Sequence, residues 1–265
     1  MHLAQRNQIK GNKFAVYSDC EGAIPHAIDL HKEIRSKNMA IAGEHIQTLN
    51  ASPSPLNTLA QAEMLDFGTW LPHAAKEYKI SPDPTDYILK PFIIMPSDLP
   101  NRNGVSFPKE ELLKWDIEAM RQRYRIWKGA PTHLEHNNQD PTIANGVVAD
   151  CVVRPLKTNP NILKVVVLMA LDRTRYPTLT QSVLKGDMNA VSMGAWVDHY
   201  TCSKCGREVG HCTHIARKGI GGIKVDADLD LVFAQVRGIL PFEVSWVGTP
   251  AYSVAVNDDP LLSLT

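Results

Sequence analysis

Apolar positions follow two different periods along this chain, and the change comes near residue 80. Before it the spacing is helical. AIPHAIDLHKEIRSK (23–37) sets Ile24, Ile28 and Leu30 or Ile34 on a broken apolar face, and LNTLAQAEMLDF (56–67) predicts a second short helix. NASPSPLN (50–57) is linker chemistry, and the breaker cluster KISPDPTD (79–86) predicts a boundary. Beyond it the apolar runs become short and β-branched. Strands are expected at 86–96, 132–136, 142–155, 161–173, 189–200 and 242–248, with KTNP (157–160) as the turn between the third and fourth. Three helices interrupt them. PKEELLKWDIEAMRQRYRIW (108–127) places Leu113, Ile117, Met120 and Tyr124 on one stripe behind Pro108 and two glutamates, and shorter helices are expected at 177–186 and 228–237. Strands that do not alternate regularly with helices argue against a doubly wound sheet and for a mainly β, α+β domain: a compact closed β-barrel surrounded by helices.

Composition narrows the function classes. The chain has 265 residues, 28 Lys+Arg against 28 Asp+Glu, 44% hydrophobic and 21% charged residues, which suits a globular protein with a sizeable core. Zero net charge removes the basic footprint of a dedicated nucleic-acid binder. The longest purely apolar run, VVVLMAL (165–171), is far below the roughly 20 residues that span a bilayer, and the N-terminus lacks a signal-peptide h-region. A soluble, cytosolic-type protein is expected.

Cysteine placement then adds chemistry. Of Cys20, Cys151, Cys202, Cys205 and Cys212, three crowd into CSKCGREVGHCTH (202–214). An odd count without a secretion signal speaks against a disulfide framework. A Cys-x-x-Cys pair lets two thiolates grip one ion from a tight turn, with Gly206 suited to the positive φ of such a knuckle. Cys202, Cys205, Cys212 and His214 would complete a tetrahedral structural zinc site, with His211 as the spare fourth ligand. Loop thiols or a redox pair are the other readings. Three thiolates and an imidazole leave no open position for a catalytic water.

Three further segments carry catalytic residue types, each weak alone: THLEHNNQDP (132–141) with His133 and His136, AVSMGAWV (190–197) with Ser192, and FEVSWVGTPAYSVAV (242–256) with Glu243. A lone strand serine is usually an ordinary hydroxyl, and Ser192 lacks the G-x-S-x-G elbow. A Glu243 that points inward needs a hydrogen-bond partner, for which a histidine is the natural choice.

Taken in order, LEHNNQDPTIANGVV (134–148), AVSMGAWV and FEVSWVGTPAYSVAV resemble the prohead maturation serine proteases of tailed bacteriophages, which share the herpesvirus assemblin fold. The likeness spans roughly residues 84–256, and a branch of these proteases has a similar cysteine-rich insert after the serine strand. It implies an assemblin-like closed barrel over 84–256 with a zinc-knuckle insert at 201–216. Residues 1–83 would be an arm or propeptide, and 257–265 a tail. It implies Ser192 as nucleophile, His136 as general base with His133 as rival, and Glu243 as third member with His133, Asp198 and His199 as rivals. The implied substrates are phage scaffold and major capsid protein precursors and the protease itself. The implied place is the procapsid in the host cytoplasm, without membrane or nucleic-acid partners, and a homodimer is left open. Competing readings are a non-catalytic capsid or scaffold protein, a zinc-knuckle nucleic-acid module and a metal-dependent hydrolase.

Overall fold

A computed structural model describes residues 8–9, 13–17, 56–215, 224–225, 230–252 and 255. The helix expected at 23–37, the linker at 50–55, Cys20 and the whole tail at 257–265 lie outside them.

The architecture is mixed α+β and mostly strand. The main sheet collects β1 (Gln8–Ile9), β2 (Lys13–Tyr17), β3 (Tyr87–Pro96), β7 (Pro131–Leu134), β8 (Gly146–Leu156), β9 (Asn159–Asp172), β10 (Val191–Val197) and β15 (Leu240–Trp246). Their order is β1-β2-β10-β15-β7-β8-β9-β3. All ladders are antiparallel except β15 with β7. The sheet curls into half a barrel, and its terminal strands β1 and β3 are not neighbours in the ladder order. Of the expected closed barrel, the described residues show this curled half.

Side chains that alternate along a strand face opposite sides of the sheet. Val191, Met193, Ala195 and Val197 of β10 join Val244 and Trp246 of β15, Val165, Val167, Met169 and Leu171 of β9 and Phe92 of β3 in one interior core. The opposite face of β8 and β9 is covered by α1 (Leu56–Tyr78). This helix outruns the expected 56–67: Phe67, Trp70, Leu71, Ala74, Ala75 and Tyr78 recur every three or four residues and bury against Tyr87, Ala144, Val147, Ala149 and Ala170. That burial carries the helix through Pro72, a helix breaker in isolation.

Two sequence expectations fail outright. The helix expected over 108–127 is a single turn, α2 (Lys109–Leu113), then a hairpin of β5 (Trp115–Asp116) and β6 (Arg121–Gln122), then a 3-10 turn at Arg123–Trp127. Asp116 Oδ1 accepts the Ala119 N–H at 2.9 Å, a side-chain turn that competes with helical bonding. Ile117 and Met120, half of the supposed apolar stripe, are exposed. The helix expected over 228–237 is instead two strands, β13 (Leu231–Val232) and β14 (Ala234–Arg237). β14 forms a small sheet with β4 (Val105–Ser106) and β11 (His199–Cys202). Between them, β12 (Lys224–Val225) pairs with β13. The expected helix at 177–186 is present as α3 (Pro177–Lys185), closed by Gly186 at positive φ.

Candidate active site and metal cluster

Strands β10, β15 and β7 lie side by side: β10 carries Ser192, β15 carries Glu243, and β7 leads into the turn that carries His136. The β10–β15 ladder sets Ser192 against Ser245 and Gly194 against Glu243. The parallel β15–β7 ladder ends with Trp246 against Leu134, so the chain leaves β7 at the level of Trp246 and turns over the sheet at Glu135 and His136.

That turn is built from two consecutive left-handed residues, Glu135 at φ +50° and His136 at φ +54°. Non-glycine residues hold this conformation at a cost of order 1–3 kcal/mol each, so the surroundings must enforce it. The Glu135 N–H donates to Trp246 O at 2.8 Å, and its Oε1 accepts the Gly248 N–H at 2.8 Å. Asn137 N–H donates to Leu134 O, and Asn138 N–H to His136 O. Below the turn, buried Asn145 Oδ1 accepts from Thr132 Oγ1 at 2.7 Å and Trp246 Nε1 at 3.1 Å, linking β7 to β15.

His136 is thereby aimed between two groups. Its Nε2 lies 2.9 Å from Ser192 Oγ and its Nδ1 lies 2.7 Å from Glu243 Oε1. Ser245 Oγ donates to the other carboxylate oxygen, Glu243 Oε2, at 2.5 Å. Glu243 is fully buried, so each oxygen is held by a hydrogen bond where water would otherwise be needed. With Nδ1–H donated to the carboxylate, Nε2 is left as the acceptor that can take a proton from Ser192 Oγ.

Gly194 explains the Ser-x-Gly spacing. A Cβ there would sit 2.7 Å from Glu243 Oε1 and 2.7 Å from Phe242 Cζ. A bulge between Gly194 and Ala195 lets Phe242 slip past the ladder and stack on Trp196, with ring centroids 5.0 Å apart. The carboxylate occupies the room that the missing side chain leaves.

The rivals named from the sequence fall elsewhere. His133 is buried in β7, in register with Ser245, while the ring against Ser192 Oγ belongs to His136. Asp198 and His199 are exposed beyond the far end of β10, six and seven residues from Ser192, roughly 20 Å at strand rise. Sequence reasoning missed Ser245 and Glu135. Ser245 had a signal in Glu-Val-Ser, since residues two apart share a strand face. Glu135 had none, because its role depends on a backbone conformation.

The cysteine-rich insert forms a second cluster. One ligand atom each of Cys202, Cys205, Cys212 and His214 lies within 4.8 Å of the others, and Cys202 Sγ is 3.8 Å from His214 Nδ1. Cys202 ends β11, and Gly206 turns the knuckle at φ +69° with its N–H on Cys202 O. Tetrahedral ligation at about 2.3 Å per sulfur puts the sulfurs roughly 3.7 Å apart, so a small contraction would complete the shell. Burial pushes the Cys202 thiol above its ordinary range. Burial acts the same way on Cys212, but the Ile215 and His214 backbone N–H groups and the neighbouring thiols outweigh it and bring that thiol below its ordinary value. His211 stands outside, exposed and 3.7 Å from Glu208. Soft sulfur donors with one imidazole fit a metal ion and close its shell.

No family description matches the chain, and no curated protein sequence matches it. Solved structures that match include the bacteriophage T4 capsid assembly protease, at 16% identity over 62% of this chain and 81% of that one, with a TM-score of 0.37. The relationship is distant.

Proposed function

We propose that this chain is a serine endopeptidase acting through a Ser192–His136–Glu243 triad. The observation that carries the reading is the unbroken hydrogen-bonded row from Ser192 Oγ through both His136 ring nitrogens to a buried Glu243. In the first half-reaction Ser192 Oγ adds to the peptide carbonyl carbon while its proton passes to His136 Nε2. Glu243 stabilises the resulting imidazolium, which protonates the departing amine and leaves an acyl-enzyme. Water then attacks the ester, again losing a proton to His136, and Ser192 is regenerated.

The substrate class rests on the resemblance seen in the sequence: scaffold and major capsid protein precursors, and the chain itself, inside a phage procapsid in the host cytoplasm. No helix among the described residues is long and apolar enough to cross a membrane. Residues 84–256 carry the chemistry, with 1–83 as an arm or propeptide. The cysteine cluster holds structural zinc, too closed to supply a reacting water.

The test is mass spectrometry of a capsid precursor co-expressed with the wild-type chain, Ser192→Ala and His136→Ala. Both variants should lose cleavage to the same degree, because members of a triad act as a unit. Normal processing by Ser192→Ala would overturn the reading.

A further inference from the structure

Resting on that protease reading, we infer that residues Lys13–Tyr17 occupy the strand position a substrate peptide needs, and that a protein substrate binds by displacing them. An extended peptide gains affinity at a sheet by pairing its main chain with an exposed strand edge. The strand beside the chemistry is β10, and one of its edges is taken by β15 from Val191 to Trp196. The other edge is taken by this chain itself: β2 pairs antiparallel with β10 at Gly194↔Tyr17, Ala195↔Val16, Trp196↔Ala15 and Val197↔Phe14.

The register points β2 at the nucleophile. In an antiparallel ladder, rising numbers along β2 meet falling numbers along β10, so its Tyr17 end lies nearest Ser192, opposite a residue two positions away. On the far side of Ser192, the Val191 N–H donates to Ala255 O at 3.0 Å. Chain segments thus flank Ser192 on both sides, and the serine is 1% exposed. A peptide carbonyl reaches Ser192 Oγ only after something moves. β2 is the natural mover: among the described residues its one sheet neighbour beyond β10 is the two-residue β1, whereas β15 is locked between β10 and β7.

A resident strand lowers apparent substrate affinity by the fraction of molecules in which it has left, without changing the chemistry that follows. Phe14→Pro and Val16→Pro in the full chain each disfavour the ladder: they pair with Val197 and Ala195, which share the β2-facing edge with the Val191 N–H, and proline supplies no N–H to return. Because β2 sits near the end of the sheet, both chains should fold. Three readouts are expected: at least tenfold faster hydrogen exchange at those amides of 194–197 that face β2, a severalfold fall in KM for an extended peptide substrate, and an unchanged kcat. Faster exchange with unchanged KM would overturn the inference, as would exchange that does not change. A readout independent of hydrolysis is binding of the synthetic peptide KGNKFAVYSD (residues 10–19) to chains carrying Ser192→Ala. The proline chains should bind it severalfold more tightly than the chain with intact β2, and equal binding would overturn the proposal. If no chain hydrolyses peptides while this binding difference holds, the protease reading fails and the edge-occupancy reading stands.

Discussion

At the scale of single residues, the site depends on an absence and on an acceptor. The absence is the side chain of Gly194, whose place Glu243 fills. Gly194→Ala should push the carboxylate off His136 Nδ1, lowering kcat by tenfold or more, since an imidazole without its orienting acid is a poor base. Steady-state kinetics on a peptide substrate checks this, and an unchanged kcat would mean that Glu243 is not needed where it sits. The acceptor is Asn145 Oδ1, shared by Thr132 Oγ1 and Trp246 Nε1. Asn145→Leu leaves two buried donors unsatisfied, at about 1–3 kcal/mol each. A denaturant melt should show that loss, and an unchanged midpoint would show that the linkage carries no stability.

At the scale of elements, the same hydrophobic spacing produced a helix in one place and none in another. Phe67, Trp70, Leu71, Ala74, Ala75 and Tyr78 bury a continuous stripe against β8 and β9. Leu71→Ala should cost about 2–5 kcal/mol, the range for emptying a buried leucine site. Ile117 belongs to an equally regular spacing but is 80% exposed, so Ile117→Ser should change stability by less than about 0.5 kcal/mol. Thermal melts of the two variants distinguish a packed helix from a solvent-facing hairpin, and a large loss for Ile117→Ser would put the helix back. The strands were legible because period-two alternation with β-branched residues is local information: 86–96, 161–173 and 242–248 each lie within a few residues of the observed strands. The hairpin at 115–122 was not, because it turns on the Asp116 side chain bonding Ala119 N–H, and the β11–β14 pairing spans more than thirty residues. At the site, Ser192, His136 and Glu243 could be singled out as residue types in order. Their meeting required the bulge at Gly194 and the left-handed turn at 135–136, which no pattern of apolar positions encodes.

At the scale of the whole molecule, two centres are strung on one stretch of chain. β10 carries Ser192, and β11 follows after one residue and ends in Cys202. Cys202 packs with Ile215, Val232 and Ala234 in a small core of its own, which a metal would cross-link. Cys205→Ser should lower zinc content and melting temperature together, reducing activity only through loss of folded protein, whereas Ser192→Ala should keep its zinc. Elemental analysis beside melting curves with and without chelator checks both. A metal-free chain that melts unchanged would reduce the cluster to ordinary thiols.

The position of β15 has a temporal consequence. Among the described residues it is the last of the main-sheet strands in sequence, yet it sits at the centre of the sheet and joins the strand bearing Ser192 to the strand leading to His136. Until residues 240–246 have been synthesised and inserted, β10 and β7 have nothing between them. A growing chain that already contains Ser192 and His136 is therefore inert. Closing contacts over more than a hundred residues is also slow, because loop entropy is lost before the pairing is gained. Biosynthesis thus imposes its own order: the proposed triad cannot assemble before residues 240–246 have been made.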